Sequence, residues 1–386
     1  MILMHSATKQ TILASSTLTL ALVSDAVLYL LLPIYFSDFL LTIVWVGILL
    51  SANRFLRILL NPLIVYSYAL LGGRRATLLA VFFATVACAM FLFSLGPWVL
   101  LIARMLWGFA YGLLRLSCLY CATKDPAVSL KNMGWYAAIQ ELGPLLVLLA
   151  APLINHYYSV HVIIAISLLL CLLAFIPALF LRQESVQQQS PTRGWLPKFN
   201  YQHFLTFVFC LLFDAVWIVV LAPLIIFGGG SEQQALAMAA ILVVLKRGFN
   251  LLLGLVVVKY SQLRNVNRWL NYSVLMMLLS AWLLASSALL SASLLAIVGH
   301  GVFMILMPKI LSDQNNNLAA RKASLNDFTL WRDFAAALGA LLAGVLLAAE
   351  LVTYFYLSAA ILLSLVVAVF SWRERKIRLT STEQVE

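Results

Sequence analysis

Asn53, Arg54 and Arg57 sit near the centre of WVGILLSANRFLRILLNPLIVYSY, an apolar stretch from Trp45 to Tyr68. An arginine at the middle of a bilayer costs about 2.5–3.5 kcal/mol on insertion scales, so neither guanidinium faces lipid. Three residues apart on a helix, Arg54 and Arg57 share a face. Two chemistries fit: a buried ion pair that fixes helix packing, or the cationic lining of a water-filled path. Similar residues recur along the chain. Arg104, Arg115, Lys246, Arg247 and Arg332 are basic groups well inside apolar segments, and Asp25, Glu141, Asp214, Asp327 and Asp333 are acidic ones. His300 adds a titratable group, and Lys309 lies near the end of a span. At about 3 kcal/mol each, a dozen lipid-facing charges would exceed the 5–15 kcal/mol by which a fold is stable. They must gather into pairs or a hydrated cavity. Basic groups outnumber acidic ones, and an anionic ligand would satisfy the surplus.

Arginine suits that role, because its planar fork holds a carboxylate through two hydrogen bonds and stays charged. Arg54, Arg57, Arg104, Lys246, Arg247 and Arg332 are the expected ligand groups, with Tyr29, Trp217 and Trp331 placed to stack on a guest. Ordinary membrane core is the competing reading of those aromatics. Asp25, Glu141 and Asp214 are candidates for taking up and releasing a proton as hydration alternates. The alternative for them is a permanent ion pair with Arg54 or Arg247.

The elements that carry these residues follow from composition. The chain has 386 residues, is 64% hydrophobic and 10% charged, and has a mean hydropathy of +1.01. No soluble domain hides that much apolar surface, so the protein is integral to a lipid bilayer. Its net charge of +11 does not mark nucleic-acid binding, because the basic residues fall in short loops between apolar segments. Cys88, Cys118, Cys121, Cys171 and Cys210 all lie within apolar segments and read as small core residues. The single Lys9 before the first apolar run indicates a retained first helix, not a cleaved leader.

Twelve spanning helices are expected, at about 12–37, 40–68, 76–95, 98–122, 129–154, 160–182, 201–227, 233–258, 269–289, 291–311, 323–346 and 350–372. The longest polar stretch is RQESVQQQSPTRGWLPKFN, from Arg182. It divides the chain into a six-helix bundle at 1–182, a linker at 183–200, a second bundle at 201–372 and a tail at 373–386. One set of loops holds Arg74, Arg75, Lys124, Lys131, Arg182, Arg193, Lys198, Lys259, Arg264, Arg268, Arg321 and Lys322, and the tail adds Arg373, Arg375, Lys376 and Arg378. The opposite loops, near Ser37, Ser94, Asn155, Gly228, Ser286 and Glu350, hold neither residue type. This asymmetry places both termini in the cytoplasm.

The halves echo each other. SDAVLYLLLPIYF from Ser24 matches FDAVWIVVLAPLIIF from Phe213, each with Asp-Ala-Val followed by a proline (Pro33, Pro223). NRFLRILL from Asn53 matches KRGFNLLL from Lys246, so Arg54 corresponds to Arg247, and Gln140-Glu141 stands where Arg332-Asp333 stands in the second half. Together these support a repeated six-helix unit. On the fourth span, RMLWGFAYGLLR puts Arg104, Gly108, Gly112 and Arg115 on one face, with glycines that admit a close neighbour. On the fifth, Glu141-Leu-Gly143-Pro144 sets a carboxylate beside a kink.

With these features the chain resembles a major facilitator superfamily transporter, an all-α membrane fold of two pseudo-symmetric six-helix bundles. LLGGRRATLL from Leu70 is similar to that family's signature after the second helix in its Gly73-Arg74-Arg75 end, but Leu70 stands where the family has an aspartate. RMLWGFAYG resembles the helix 4 motif associated with proton coupling, and ELGPLL the Gly-Pro motif of exporters, in truncated form. The resemblance implies alternating access around a mid-membrane site, with Gly73, Arg74, Arg75, Gly143 and Pro144 in gating or motif roles. It also implies a location in the bacterial inner (cytoplasmic) membrane.

The leading expectation is a proton-coupled transporter of a small carboxylate-bearing anion, exporting a siderophore or related metabolite, with the substrate, protons and lipid as partners and a monomeric state. A multidrug exporter of lipophilic compounds is the alternative favoured by the aromatics, and an importer of an anionic nutrient is a third. A non-transporting receptor or assembly factor is a fourth. A membrane enzyme is disfavoured: no Ser/His/Asp grouping, HExxH or phosphate-cradling glycine loop with lysine occurs. No cofactor or metal is expected, since His5, His156, His161, His203 and His300 are widely scattered.

Overall fold

Without water to bond, a backbone in hydrocarbon must satisfy its own N–H and C=O groups, so long apolar segments fold as helices. A computed structural model describes residues 6–32, 35–41, 43–93, 96–183, 200–260, 265–315, 317–348 and 351–383, and these contain helices and no strand. The first bundle comprises α1 (Ser6–Leu31), α2 (Ile43–Leu59), α3 (Asn61–Leu92), α4 (Pro97–Thr123), α5 (Ser129–Tyr157) and α6 (Val160–Leu173). The second comprises α7, which runs Tyr201–Cys210, a π-helical turn Leu211–Val216 and Trp217–Phe227, then α8 (Glu232–Lys259), α9 (Val266–Ala285), α10 (Leu289–Asp313), α11 (Leu318–Ala348) and α12 (Val352–Glu383). Among the described residues, eleven helices are long and apolar enough to cross a membrane. The twelfth crossing is split. α2 has 17 residues and continues through residues 61–71 of α3, which then turns back at Gly72 (φ 73°, ψ 168°).

Prolines explain the interruptions. Pro62 has no N–H to give Ile58, and the second crossing breaks at Leu60, two residues earlier. Pro177 similarly separates α6 from the short helix Phe175–Leu179. The left-handed φ of the reversal falls on Gly72, not on Gly73, which is buried within the helix that follows. Pro33, residues 184–199 of the linker with Arg193 and Lys198, Arg264, Glu350 and the side chains of the tail from residue 370 lie outside what is described.

Twelve crossings put both chain ends on one face, here the terminal face. Between mid-depth and that face the bundles share one core: Val257, Ile305, Leu306 and Leu325 of the second bundle are buried in the cluster of the first. The tightest seam joins α5 to α8. A Cβ on Gly134 would lie 2.7 Å from the Gly254 carbonyl, and one on Gly254 would lie 2.6 Å from the Ala138 nitrogen. Nearer the face, the Tyr120 hydroxyl donates to the Lys322 carbonyl at 3.4 Å, and Arg321 donates to the Thr123 and Lys124 carbonyls, both at 3.4 Å. The bundles are thus shut against each other on the terminal side.

Candidate functional site

Small residues bring the charged helices together. A Cβ on Gly108 of α4 would lie 2.8 Å from the Asn53 carbonyl of α2, and one on Gly112 would meet Ile64 at the same distance. With α2 lying this close on α4, Arg57 and Arg115 converge on one carboxylate from the opposite bundle, that of Asp333 on α11. Arg57 holds Asp333 with Nε and Nη2, each at 3.0 Å. Arg115 adds Nη1 at 3.1 Å and Nη2 at 2.5 Å, and also reaches the Thr329 carbonyl at 3.1 Å. Tyr111 lies under both guanidinium groups, 4.9 Å from Arg57 and 5.4 Å from Arg115. All three charged groups are buried.

The repeat supplies a second crossing between the bundles. Arg247 of α8 donates to Glu141 of α5 at 2.9 Å, and Asn250 approaches the other carboxylate oxygen at 3.4 Å. Asn250 stands one turn after Arg247 much as Arg57 stands after Arg54. The two clamps are therefore pseudo-symmetric versions of one device, α2 on α11 and α8 on α5.

Each bundle also closes a basic group onto its own first-helix aspartate. In the first bundle, Arg104 meets Asp25 at 2.5 Å, donates through Nε to the Leu49 carbonyl at 2.9 Å and is 0% exposed. Among the described residues, Arg104 Nη2 and Trp107 Nε1 find no hydrogen-bond partner. Both residues line a cavity of about 10 Å³ beside Asp25, Ser24 and Ser167, room for about one water. In the second bundle, the π-helical turn carries Asp214. Lys246 donates to it at 2.7 Å and to the Phe213 carbonyl at 3.0 Å, while His300 Nε2 stands 3.4 Å and Arg332 Nη2 3.8 Å from its other oxygen.

The expected set of ligand arginines is narrower than the residue types suggested. Arg57 and Arg104 are taken up by carboxylates, because helix packing presents Asp333 and Asp25 within hydrogen-bond reach. Lys246 is engaged by Asp214 in the same way, and Arg247 by Glu141. Arg54 differs: it is half-buried, donates to the Ala336 carbonyl at 3.1 Å and has no ion pair among the described contacts, with its guanidinium 5.9 Å from the Tyr29 ring. Arg332, 28% exposed, has as its one ion pair among the described residues the 3.8 Å contact with Asp214. Ala336 lies one turn beyond Arg332 on α11, so Arg54 of the first bundle reaches the stretch of helix that carries Arg332 of the second. Two arginines share Asp333, a lysine and an arginine share Asp214, and Arg54 has a carbonyl, so each group keeps one positive charge uncompensated.

The remaining expected residues divide between the site and the scaffold. Tyr29 lies among the charged groups: its hydroxyl donates to the Leu50 carbonyl at 2.9 Å and its ring lies 5.4 Å from Arg104. Trp217 is 1% exposed and donates to Ser293 Oγ at 2.9 Å, so it is core and supports Lys246, 5.5 Å above its ring, in place of facing a guest. Trp331 packs edge-on against Phe207 at 5.8 Å. Gly143 and Pro144 sit within the first bundle: the Gly143 N–H donates to Thr19 Oγ1 at 2.9 Å, and a Cβ there would meet the Thr19 carbonyl at 2.5 Å. Gly73, Arg74 and Arg75 lie at the terminal face, where the Arg75 N–H donates to Gln183 at 3.3 Å. Asn250 and the Gly134–Gly254 seam carried no legible signal in sequence, and Arg115 and Asp333 were visible as charges but not as partners.

The profile of the Major Facilitator Superfamily matches residues 14–329. No curated protein sequence matches significantly. Among solved structures, the human organic anion transporter MFSD10 (TETRAN) is similar with a TM-score of 0.73 at 16% identity, over 94% of this chain and 99% of that one. A variant of the E. coli fucose:proton symporter FucP is similar with a TM-score of 0.70 at 14% identity, over 96% of this chain and 99% of that one. Paired bundles, repeated clamps and a profile match over most of the sequence lead to one statement: the chain belongs to the Major Facilitator Superfamily and is a multi-pass membrane transporter.

Proposed function

We propose that the protein is a proton-coupled secondary transporter that moves a small carboxylate-bearing anion by alternating access, exporting a siderophore or related metabolite. The observation that carries the anion is Arg54, a half-buried guanidinium with a carbonyl and, among the described residues, no carboxylate partner, set opposite the partly exposed Arg332 of the other bundle. A carboxylate between them would receive charge-assisted hydrogen bonds in place of one neutral and one distant contact. The shut terminal side fits the state whose cavity opens to the far face. Returning to the other state requires both mid-depth clamps to part, and the Gly134–Gly254 seam with them.

Proton coupling falls to Asp25, Glu141 and Asp214, each a carboxylate held by one or more basic groups and each partly exposed. Protonation of any of them frees its partner. The water-sized cavity beside Asp25 is a route by which a proton reaches that pair. The lysine- and arginine-bearing loops support a cytoplasmic terminal face with both termini there, in the inner membrane of a bacterial cell. The polar stretch at 183–200 serves as the linker between bundles at 1–182 and 201–372, with a tail at 373–386, and the monomer is the working unit. Proteins of the same fold are named for an organic anion and for proton symport, which agrees with both halves of the proposal.

The test is carboxylate movement in proteoliposomes under an imposed proton gradient. Transport that depends on the gradient and is lost in Arg54→Ala supports the assignment; transport untouched by Arg54→Ala and Arg332→Gln sinks the anion site. Comparing metabolites in medium and cytoplasm with and without the protein decides direction. Accumulation of a polycarboxylate inside deleted cells is the expected result.

A further inference from the structure

Around Asp214 the second bundle holds three further donors, Cys210, His300 and Met304, that transport of an anion does not use. On α7, Cys210 and Asp214 face α10, and on α10, His300 and Met304 lie one turn apart and face back. The ligand atoms of Cys210, Asp214 and His300 all lie within 4.8 Å of one another. Asp214 Oδ2 is 3.4 Å from His300 Nε2, and Cys210 Sγ is 4.0 Å from Met304 Sδ. A tetrahedral ion with bonds of about 2.0–2.3 Å sets its ligand atoms about 3.3–3.8 Å apart, so Cys210, Asp214 and His300 would close on it with changes in separation of up to about 1 Å, with Met304 Sδ beside Cys210 Sγ as the fourth donor. His300 is 3% exposed and neither ring nitrogen has a hydrogen-bond partner. An imidazole buried in that way is costly unless something takes up its lone pair.

We infer that Cys210, Asp214, His300 and Met304 form a binding site for a soft monovalent metal ion, copper(I) in chemical type. Thiolate and thioether ligands favour such an ion over a hard one. The surrounding charge selects its valence. With Lys246 and Arg332 beside Asp214, replacing the thiol proton by a monovalent ion leaves the net charge of the site unchanged at +1, and Lys246, hydrogen-bonded to Asp214 Oδ1 at 2.7 Å, orients the ligating carboxylate. A divalent ion would raise the net charge to +2 beside the same two cations, Lys246 and Arg332. Binding exchanges one proton: the Cys210 thiol gives up its hydrogen as the S–metal bond forms, the proton leaving to water past the partly exposed Asp214, and no electron is transferred. Entry is past Asp214, whose side chain is 17% exposed. The π-helical turn between Cys210 and Asp214 gives both donors the α10-facing side of one helix.

The experiment titrates the purified full-length protein in lipid nanodiscs with silver(I), a redox-inert probe, and with copper(I) under anaerobic conditions. Metal content after desalting and X-ray absorption at the copper edge are the readouts. The expected result is one tightly held ion per chain with sulfur and nitrogen or oxygen neighbours. His300→Gln and Met304→Leu should each weaken it at least about tenfold, whereas Cys121→Ser, in the separate Cys118/Cys121 pair, leaves it unchanged. Met304→Leu nearly conserves volume, so it separates loss of a ligand from loss of fold. Absence of stoichiometric binding, binding unchanged in both His300→Gln and Met304→Leu, or binding abolished by Cys121→Ser would each overturn the site.

Discussion

Asp333→Asn is the most informative single change, because one carboxylate holds two buried arginines from the opposite bundle. Four N–H donors converge on Asp333 at 2.5–3.1 Å. Removing one partner of a buried ion pair costs about 3–5 kcal/mol, since the other charge is left uncompensated. That penalty applies to the state with the terminal side shut, where Arg57 and Arg115 are walled in. In the opposite state the arginines reach water and recover part of it. A net shift of about 3 kcal/mol towards the terminal-open state follows, about 100-fold in the equilibrium between the two. Spin labels at Lys131→Cys on α5 and Lys259→Cys on α8, in a Cys121→Ser background, report the separation across the seam by pulsed electron resonance. Wild type should give a short, narrow distance and Asp333→Asn a second, longer one. The further variant Arg57→Gln/Arg115→Gln/Asp333→Asn leaves no unpaired charge and should return the short distance. An unchanged distance distribution in Asp333→Asn would show that the clamp does not set the access state, and the reasoning fails.

Three other outcomes follow from the same geometry. Gly254→Val places atoms against the Ala138 nitrogen and Gly134 carbonyl, an overpacking cost of about 1–3 kcal/mol, so it should also widen the 131–259 distance; retention of the wild-type distance would contradict the tight seam. Asp25→Asn leaves Arg104 fully buried without a carboxylate, so the melting temperature in detergent should fall and Asp25→Asn/Arg104→Gln should recover most of the loss; no recovery would mean the pair is not what holds α1 to α4. Arg332→Gln should weaken carboxylate binding, read by tryptophan quenching, by about 10-fold or more, the value of one charge-assisted hydrogen bond, while leaving the 131–259 distance unchanged; equal affinity would remove Arg332 from the site.

The sequence by itself determined the membrane, the twelve crossings and the two repeated halves. Those properties come from local composition and period: runs of apolar residues long enough for a bilayer, lysine and arginine confined to alternate loops, and Asp-Ala-Val recurring at a fixed separation. It also determined that the in-span charges must shelter one another, because the penalty for facing lipid is large for each residue regardless of its neighbours. Partner choice was not available from it. Asp333 could have met Arg54 as easily as Arg57 on spacing alone, and only the approach of α2 to α4 over Gly108 and Gly112 sends Arg57 and Arg115 there and leaves Arg54 with a backbone carbonyl. Likewise Cys210 and His300 stand 90 positions apart in the chain, and the packing of α7 on α10 makes them neighbours. Pairing is a property of tertiary contact, decided by which small residues let which helices touch, and a one-dimensional pattern carries no term for it.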